Sequence, residues 1–211
     1  MGAIHNTDEG NKMTKIFKNT EEAGRSMVEM LGVLAIVGVL SIGGIAGYSK
    51  AMAKYKTNKV LDQVSMLITN VRTTFGNQVS YYGLTTENAK TYEIISSDMM
   101  RGSDAKNAFD GAITIKAGNA DGSDCTENET YCPTFVIEFD GIEPSACGTI
   151  AMADWGGSVS SGLVKITIGS TDFTWNASGD EKSLPINFSD AATACAVSGN
   201  DTTTAITWVY N

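Results

Sequence analysis

The amino-acid sequence predicts an α+β protein in which one long N-terminal helix, apolar in its first half, packs on an antiparallel β-sheet. Three observations lead there. Met30 to Tyr48 is a nineteen-residue run whose only polar side chain apart from the terminal tyrosine is Ser41. Directly after it, Val60, Val64, Leu67, Ile68, Val71 and Phe75 recur at three- and four-residue steps, which places them on one face of a helix. From about Ser80 the texture changes to short β-prone runs between clusters of Gly, Asn, Asp and Ser.

Residues 1–24 are polar, with Lys12, Lys15 and Lys18 followed by Glu21, Glu22, Ala23 and Gly24. The apolar run follows Gly24 instead of preceding a cleavage site, which is the reverse of a secretory signal peptide. As a helix, nineteen residues reach about 28 Å, close to the ~30 Å hydrocarbon core of a bilayer. A buried core helix is the competing reading, but a globular helix rarely stays apolar on every face for five turns. Lys50, Lys54, Lys56 and Lys59 lie just beyond the run, where long basic side chains reach lipid headgroups. On the external side of a membrane these lysines run against the positive-inside tendency. With Asp62, Gln63, Asn70 and Arg72 assigned to other faces than the apolar stripe, the sequence predicts one helix over 25–76, membrane-embedded over 25–49, amphipathic over 50–76 and ended by Gly76.

The following head, 77–211, is predicted to hold strands at Ala112–Ala117, Thr134–Phe139, Leu163–Ile168 and Ile206–Tyr210. Short helices are predicted at Pro144–Met152 and Ser189–Val197. The sheet is the evident partner for the apolar stripe of the long helix.

Composition narrows the function. A net charge of −9 excludes the basic surface that nucleic acid selects. The single histidine, His5, lies in the polar leader, so the remainder of the chain has no imidazole for acid–base chemistry or metal ligation. Asp98, Asp104 and Asp110 lack the spacing of a calcium loop. No catalytic residue, metal ligand or cofactor is expected. Cys125, Cys132, Cys147 and Cys195 form no CxxC pair, and an even count suits disulfides in an oxidising compartment; free or intermolecular thiols are the alternative. Asn128, Asn176, Asn187 and Asn200 open N-x-S/T sequons of a kind that arises by chance in such chains. Trp155, Trp175 and Trp208 are read as core residues before surface anchors.

Glu29 stands at the head of the apolar run, where a carboxylate is costly unless it has a partner. The segment Gly24-Arg25-Ser26-Met27-Val28-Glu29 resembles the type IV prepilin signature: a glycine at the cut, then a carboxylate fifth in an apolar helix. That resemblance implies cleavage after Gly24 by a prepilin peptidase and N-methylation of Arg25. It also implies pairing of Glu29 with the N-terminal amine of a neighbouring copy, which sets register because a misaligned copy leaves both charges unpaired. Arg25 departs from the pattern, since the family usually has an apolar residue there; its guanidinium is a second candidate partner for Glu29. A boundary glutamate facing water is the plain alternative. Gly32, Gly38, Gly43, Gly44 and Gly47 weaken the helix and allow close packing. In the absence of a proline in this stretch, Gly43–Gly47 is the expected segment of loosening on assembly.

Farther along, Ile95–Met99, Asn107–Ile115, Phe135–Ile142 with Cys147, and Ala191–Ala194 before Cys195 resemble the type IVb pilins, which include toxin-coregulated pilins and thin-pilus pilins of conjugative plasmids. This resemblance implies a Cys147–Cys195 disulfide around a displayed C-terminal loop and leaves Cys125 and Cys132 to close a small loop. The expectation is a subunit stored in the inner membrane, processed, then polymerised through its N-terminal helix with copies of itself into a surface filament for adhesion, aggregation or mating contact, with an inner-membrane assembly platform as a further partner. A type II secretion pseudopilin and a single-pass anchored ectodomain are the other readings.

Overall fold

In a computed structural model of the chain, the described residues are 9–126, 129–156, 161–175, 182–197 and 201–211, with side chains from Met27 onward. Asn128, Asn176 and Asn200 lie outside them, as does His5. Helix α1 spans Glu9–Thr74 and therefore starts ahead of Arg25, within the polar segment 1–24. It ends two residues short of the predicted boundary, and Gly76 sits in the turn that follows. The chain forms two compact units, Met1–Met52 and Ala53–Asn211, so the second half of α1 belongs to the same unit as the sheet.

In the first unit the side chains from Met27 to Tyr48 point outward, with large apolar ones 51–73% exposed. No described residue covers them, as expected for a segment whose surroundings are lipid or other copies.

In the second unit the elements after α1 are α2 (Thr86–Thr91), a short 3-10 turn (Ser97–Met99), and the small hairpin β1 (Met100–Arg101) and β2 (Asp104–Ala105). Next come β3 (Ile113–Gly118), β4 (Thr134–Ile142), α3 (Pro144–Ala151), β5 (Leu163–Ile168), β6 (Thr171–Thr174), β7 (Lys182–Ser183), α4 (Phe188–Ala194) and β8 (Thr204–Tyr210). The main sheet has the order β3-β4-β8-β5-β6-β7. The pairings are antiparallel, as expected for this sheet, apart from β6 with β7 at one edge, which are parallel.

Register explains the core. Side chains of one face alternate along each strand, and partners line up across strands. One row runs Ile115, Ile137, Trp208, Ile166 and Phe173; another runs Ile113, Phe139, Ile206 and Ile168. A third runs Ala117, Phe135, Tyr210 and Leu163, and Leu163 keeps its inward place because a register shift falls between it and Lys165. Against this face lie Val60, Val64, Leu67 and Val71 of α1, each fully buried in the same hydrophobic cluster. Burying such a side chain contributes about 1.5–3 kcal/mol, so this stripe fixes the helix on the sheet.

The β3 edge is closed by the chain before it. Thr86 Oγ1 accepts from the Ile115 N–H at 3.0 Å and donates to the Ile115 carbonyl at 3.1 Å, while Ala117 N–H donates to the Leu84 carbonyl at 2.9 Å. An edge strand covered in this way cannot recruit a foreign strand.

Candidate functional site

The candidate site is α1 itself, with the contacts that hold its second half. Gly24 and Arg25 lie within the helical stretch, and their side chains lie outside the described residues. Glu29 is exposed on α1 and has no ion-pair partner among the described residues. Gly43, Gly44 and Gly47 are helical, and a Cβ added at any of them meets nothing within 4 Å. The isolated chain thus gives no packing reason for these glycines.

The second half of α1 is stitched to the rest of its unit by polar side chains that a stripe-only reading leaves in solvent. Gln63, assigned to another face by its polarity, is 3% exposed, and its Oε1 accepts from the Ala108 N–H at 3.1 Å. A buried amide needs such a partner, since leaving it unsatisfied costs about 1–3 kcal/mol. Asn70 Nδ2 donates to the Ile94 carbonyl at 2.9 Å. Lys59 Nζ lies 2.6 Å from Asp98 Oδ2, and Lys56 Nζ sits 5.5 Å from the centroid of the Phe109 ring.

Arg72 makes the farthest connection in sequence. Its Nη2 donates to the Ser161 carbonyl at 2.8 Å and to the Asn211 carbonyl at 3.3 Å, and its guanidinium carbon lies 5.1 Å from the Tyr210 ring centroid. Gly162 is required beside it: φ is +81°, and a Cβ there would strike the guanidinium and approach Asn211 Oδ1 to 2.8 Å. Tyr210 in turn donates its hydroxyl to the Trp155 carbonyl at 2.8 Å. Burial pushes the Tyr210 phenol well above its usual range, and the nearby Arg72 charge opposes this only in part. Rings continue the path from α1: Phe75 to Tyr81 at 5.4 Å, Tyr81 to Phe135 at 4.9 Å and Phe135 to Tyr210 at 5.7 Å.

The structure joins Cys147 to Cys195 and Cys125 to Cys132, and no described cysteine is free. The first joins α3 to the end of α4. The second brackets the chain just after α1, where Ser80 Oγ accepts from the Cys132 N–H at 2.9 Å and Tyr81 N–H donates to the Cys132 carbonyl at 2.9 Å. Among the sequons, Asn187 is the N-cap of α4: its Oδ1 accepts from the Asp190 N–H at 3.0 Å. Trp155 and Trp208 are buried and Trp175 is partly buried, consistent with core packing. Among the described residues no group of three or more His, Cys, Asp or Glu side chains is placed to hold a metal ion.

Known proteins resemble this arrangement. The Bundlin family model matches residues 49–211. The crystal structure of a type IV b pilin from Salmonella typhi superposes with a TM-score of 0.51 at 19% identity, covering 73% of this chain and 99% of that one. For the crystal structure of TcpA, a type IV pilin from Vibrio cholerae El Tor biotype, the TM-score is 0.46 at 13% identity, with 74% of this chain and 99% of that one covered. No curated protein sequence matches. A long apolar helix leading into a sheet whose last strand in sequence lies between β4 and β5, with a family match over most of the chain, identifies a pilin and not an enzyme: the chain belongs to the Bundlin family and has the type IVb pilin fold.

Proposed function

We propose that this pilin is made with residues 1–24 as a leader, cut after Gly24 by a prepilin peptidase and N-methylated on Arg25. It is held in the inner membrane by the apolar part of α1, over 25–49. An assembly platform then extracts it, and copies polymerise through α1 into a surface filament serving adhesion, aggregation or mating contact. The observation that carries this reading is the uncovered apolar face of α1, with Glu29 at its head and no partner among the described residues. An apolar helical stretch of eighteen residues, none of them buried, is long enough to cross a bilayer and is costly to leave in water. The bilayer and the core of a filament are its two successive solvents. A charge inside such a bundle is tolerable only when an opposite charge from another copy meets it.

The head supplies the surface, and the polar stitches on Gln63, Asn70 and Arg72 support a role in transmitting load from α1 to that surface. Mass spectrometry and N-terminal sequencing of filaments sheared from cells test the reading. Expected is a subunit beginning at Arg25, methylated on its amine. A subunit that retains Met1, or sheared material without this chain, overturns it in favour of an anchored ectodomain.

A further inference from the structure

Residues 45–60 hold four lysines and no acidic residue, whereas 77–211 hold six Lys+Arg against eighteen Asp+Glu. The stretch after the apolar run is thus a cationic exception in an acidic protein. The structure divides its four lysines. Lys59 is paired with Asp98 at 2.6 Å, and Lys56 lies over the Phe109 ring at 5.5 Å. Lys50 and Lys54 are exposed, and neither has an ion-pair partner among the described residues. Tyr48 and Tyr55 bracket them, 68% and 61% exposed.

We infer that Lys50 and Lys54, between Tyr48 and Tyr55, form a contact with anionic phospholipid headgroups while the pilin is held in the membrane. This rests on the proposed membrane storage. The contact is continuous with the apolar run that ends at Tyr48. Seven residues of helix cover about 10 Å, the scale of an interfacial zone beyond the ~30 Å hydrocarbon core. Tyrosine prefers that zone because its ring is apolar and its hydroxyl is wet, and lysine reaches phosphate from the same depth. Charge decides the lipid class. The acidic head is repelled by an anionic surface, so a preference for anionic lipid has to come from unpaired cations close to the bilayer. Lys56 and Lys59 have partners on their own chain, which leaves two lysines for the role.

The test places the full chain in nanodiscs of equal phosphatidylglycerol and phosphatidylcholine and reads the lipids around it with spin-labelled analogues of each. Each lysine near an anionic surface is worth about fivefold in local preference, so phosphatidylglycerol should be enriched several-fold around the wild type. Lys50→Gln with Lys54→Gln should bring the ratio toward parity, while Lys182→Gln on the head leaves it unchanged. Parity in the wild type, or full enrichment in the double variant, overturns the inference. Enrichment confined to discs holding two copies also overturns it, by assigning the lysines to a contact between copies. A chain that fails to enter the disc refutes the storage reading itself, whereas insertion without lipid preference refutes only this one.

Discussion

Arg72 shows how a single side chain can join distant parts of a sequence. It lies in the last turn of α1 and binds the carbonyls of Ser161 and Asn211, near the far end of the chain. Arg72→Met is expected to destabilise the fold by about 1–3 kcal/mol, from two charge-assisted bonds and the ring contact. Thermal unfolding would show this as a drop of several degrees, with Arg101→Met near zero as the control. Tyr210 gives a pH signature. Its folded phenol titrates above the usual ~10 because burial disfavours the phenolate, so above that pH the unfolded chain binds fewer protons than the folded one. Stability should therefore fall as pH rises beyond about 10, and Tyr210→Phe should flatten that slope while losing about 1 kcal/mol at neutral pH. Denaturant titrations at several alkaline pH values check both. Neither role was legible in the sequence. Arg72 reads only as a residue on another face than the apolar stripe, because periodicity reports which positions are apolar and not which polar ones find partners across the fold.

Among the elements, α1 was the most legible, since both its apolar run and its stripe leave periodic signals. Of the predicted sheet, β5 matched at both ends and β3, β4 and β8 within a few residues, whereas β6 and β7 were missed: TDFT and KS are too short and polar to signal strands. Place in the sheet was not legible either, because insertion of β8 between β4 and β5 is a long-range choice. The glycines of α1 invite a test at this scale. In the isolated chain a Cβ at Gly43, Gly44 or Gly47 meets nothing, and alanine raises helix propensity by up to about 1 kcal/mol per site. The triple alanine variant is expected to leave the monomer stable and helical by circular dichroism. If Gly43–Gly47 loosens on assembly, as we propose, filament yield falls; undiminished yield from the stiffened helix would contradict that part of the account.

Within the unit Ala53–Asn211, two covalent brackets and the polar-stitched second half of α1 hold the acidic head together. The disulfides differ in reach: Cys147–Cys195 closes a separation of 48 residues and Cys125–Cys132 only 7. Chain-entropy reasoning assigns about 4 kcal/mol to the first and about 2.5 kcal/mol to the second. Serine pairs at each bridge, compared by chemical denaturation, should reproduce that order. The second pair should chiefly loosen the segment Ser80–Tyr81 after α1, seen as faster amide exchange there. Overall charge, the absence of imidazole beyond His5 and the prepilin-like segment made the class of protein legible, because filament chemistry here is written in composition and a short local motif. The division between Lys50 and Lys54 on one side and Lys56 and Lys59 on the other depends on Asp98 and Phe109, which only the fold brings beside α1.

Whether α1 is the polymerising element is tested most directly by the yield of sheared filaments from cells expressing Glu29→Gln. The cell-associated pool should persist while filament protein falls tenfold or more, since losing one member of a buried charge pair leaves the other uncompensated. Wild-type filament yield from that variant would contradict the account.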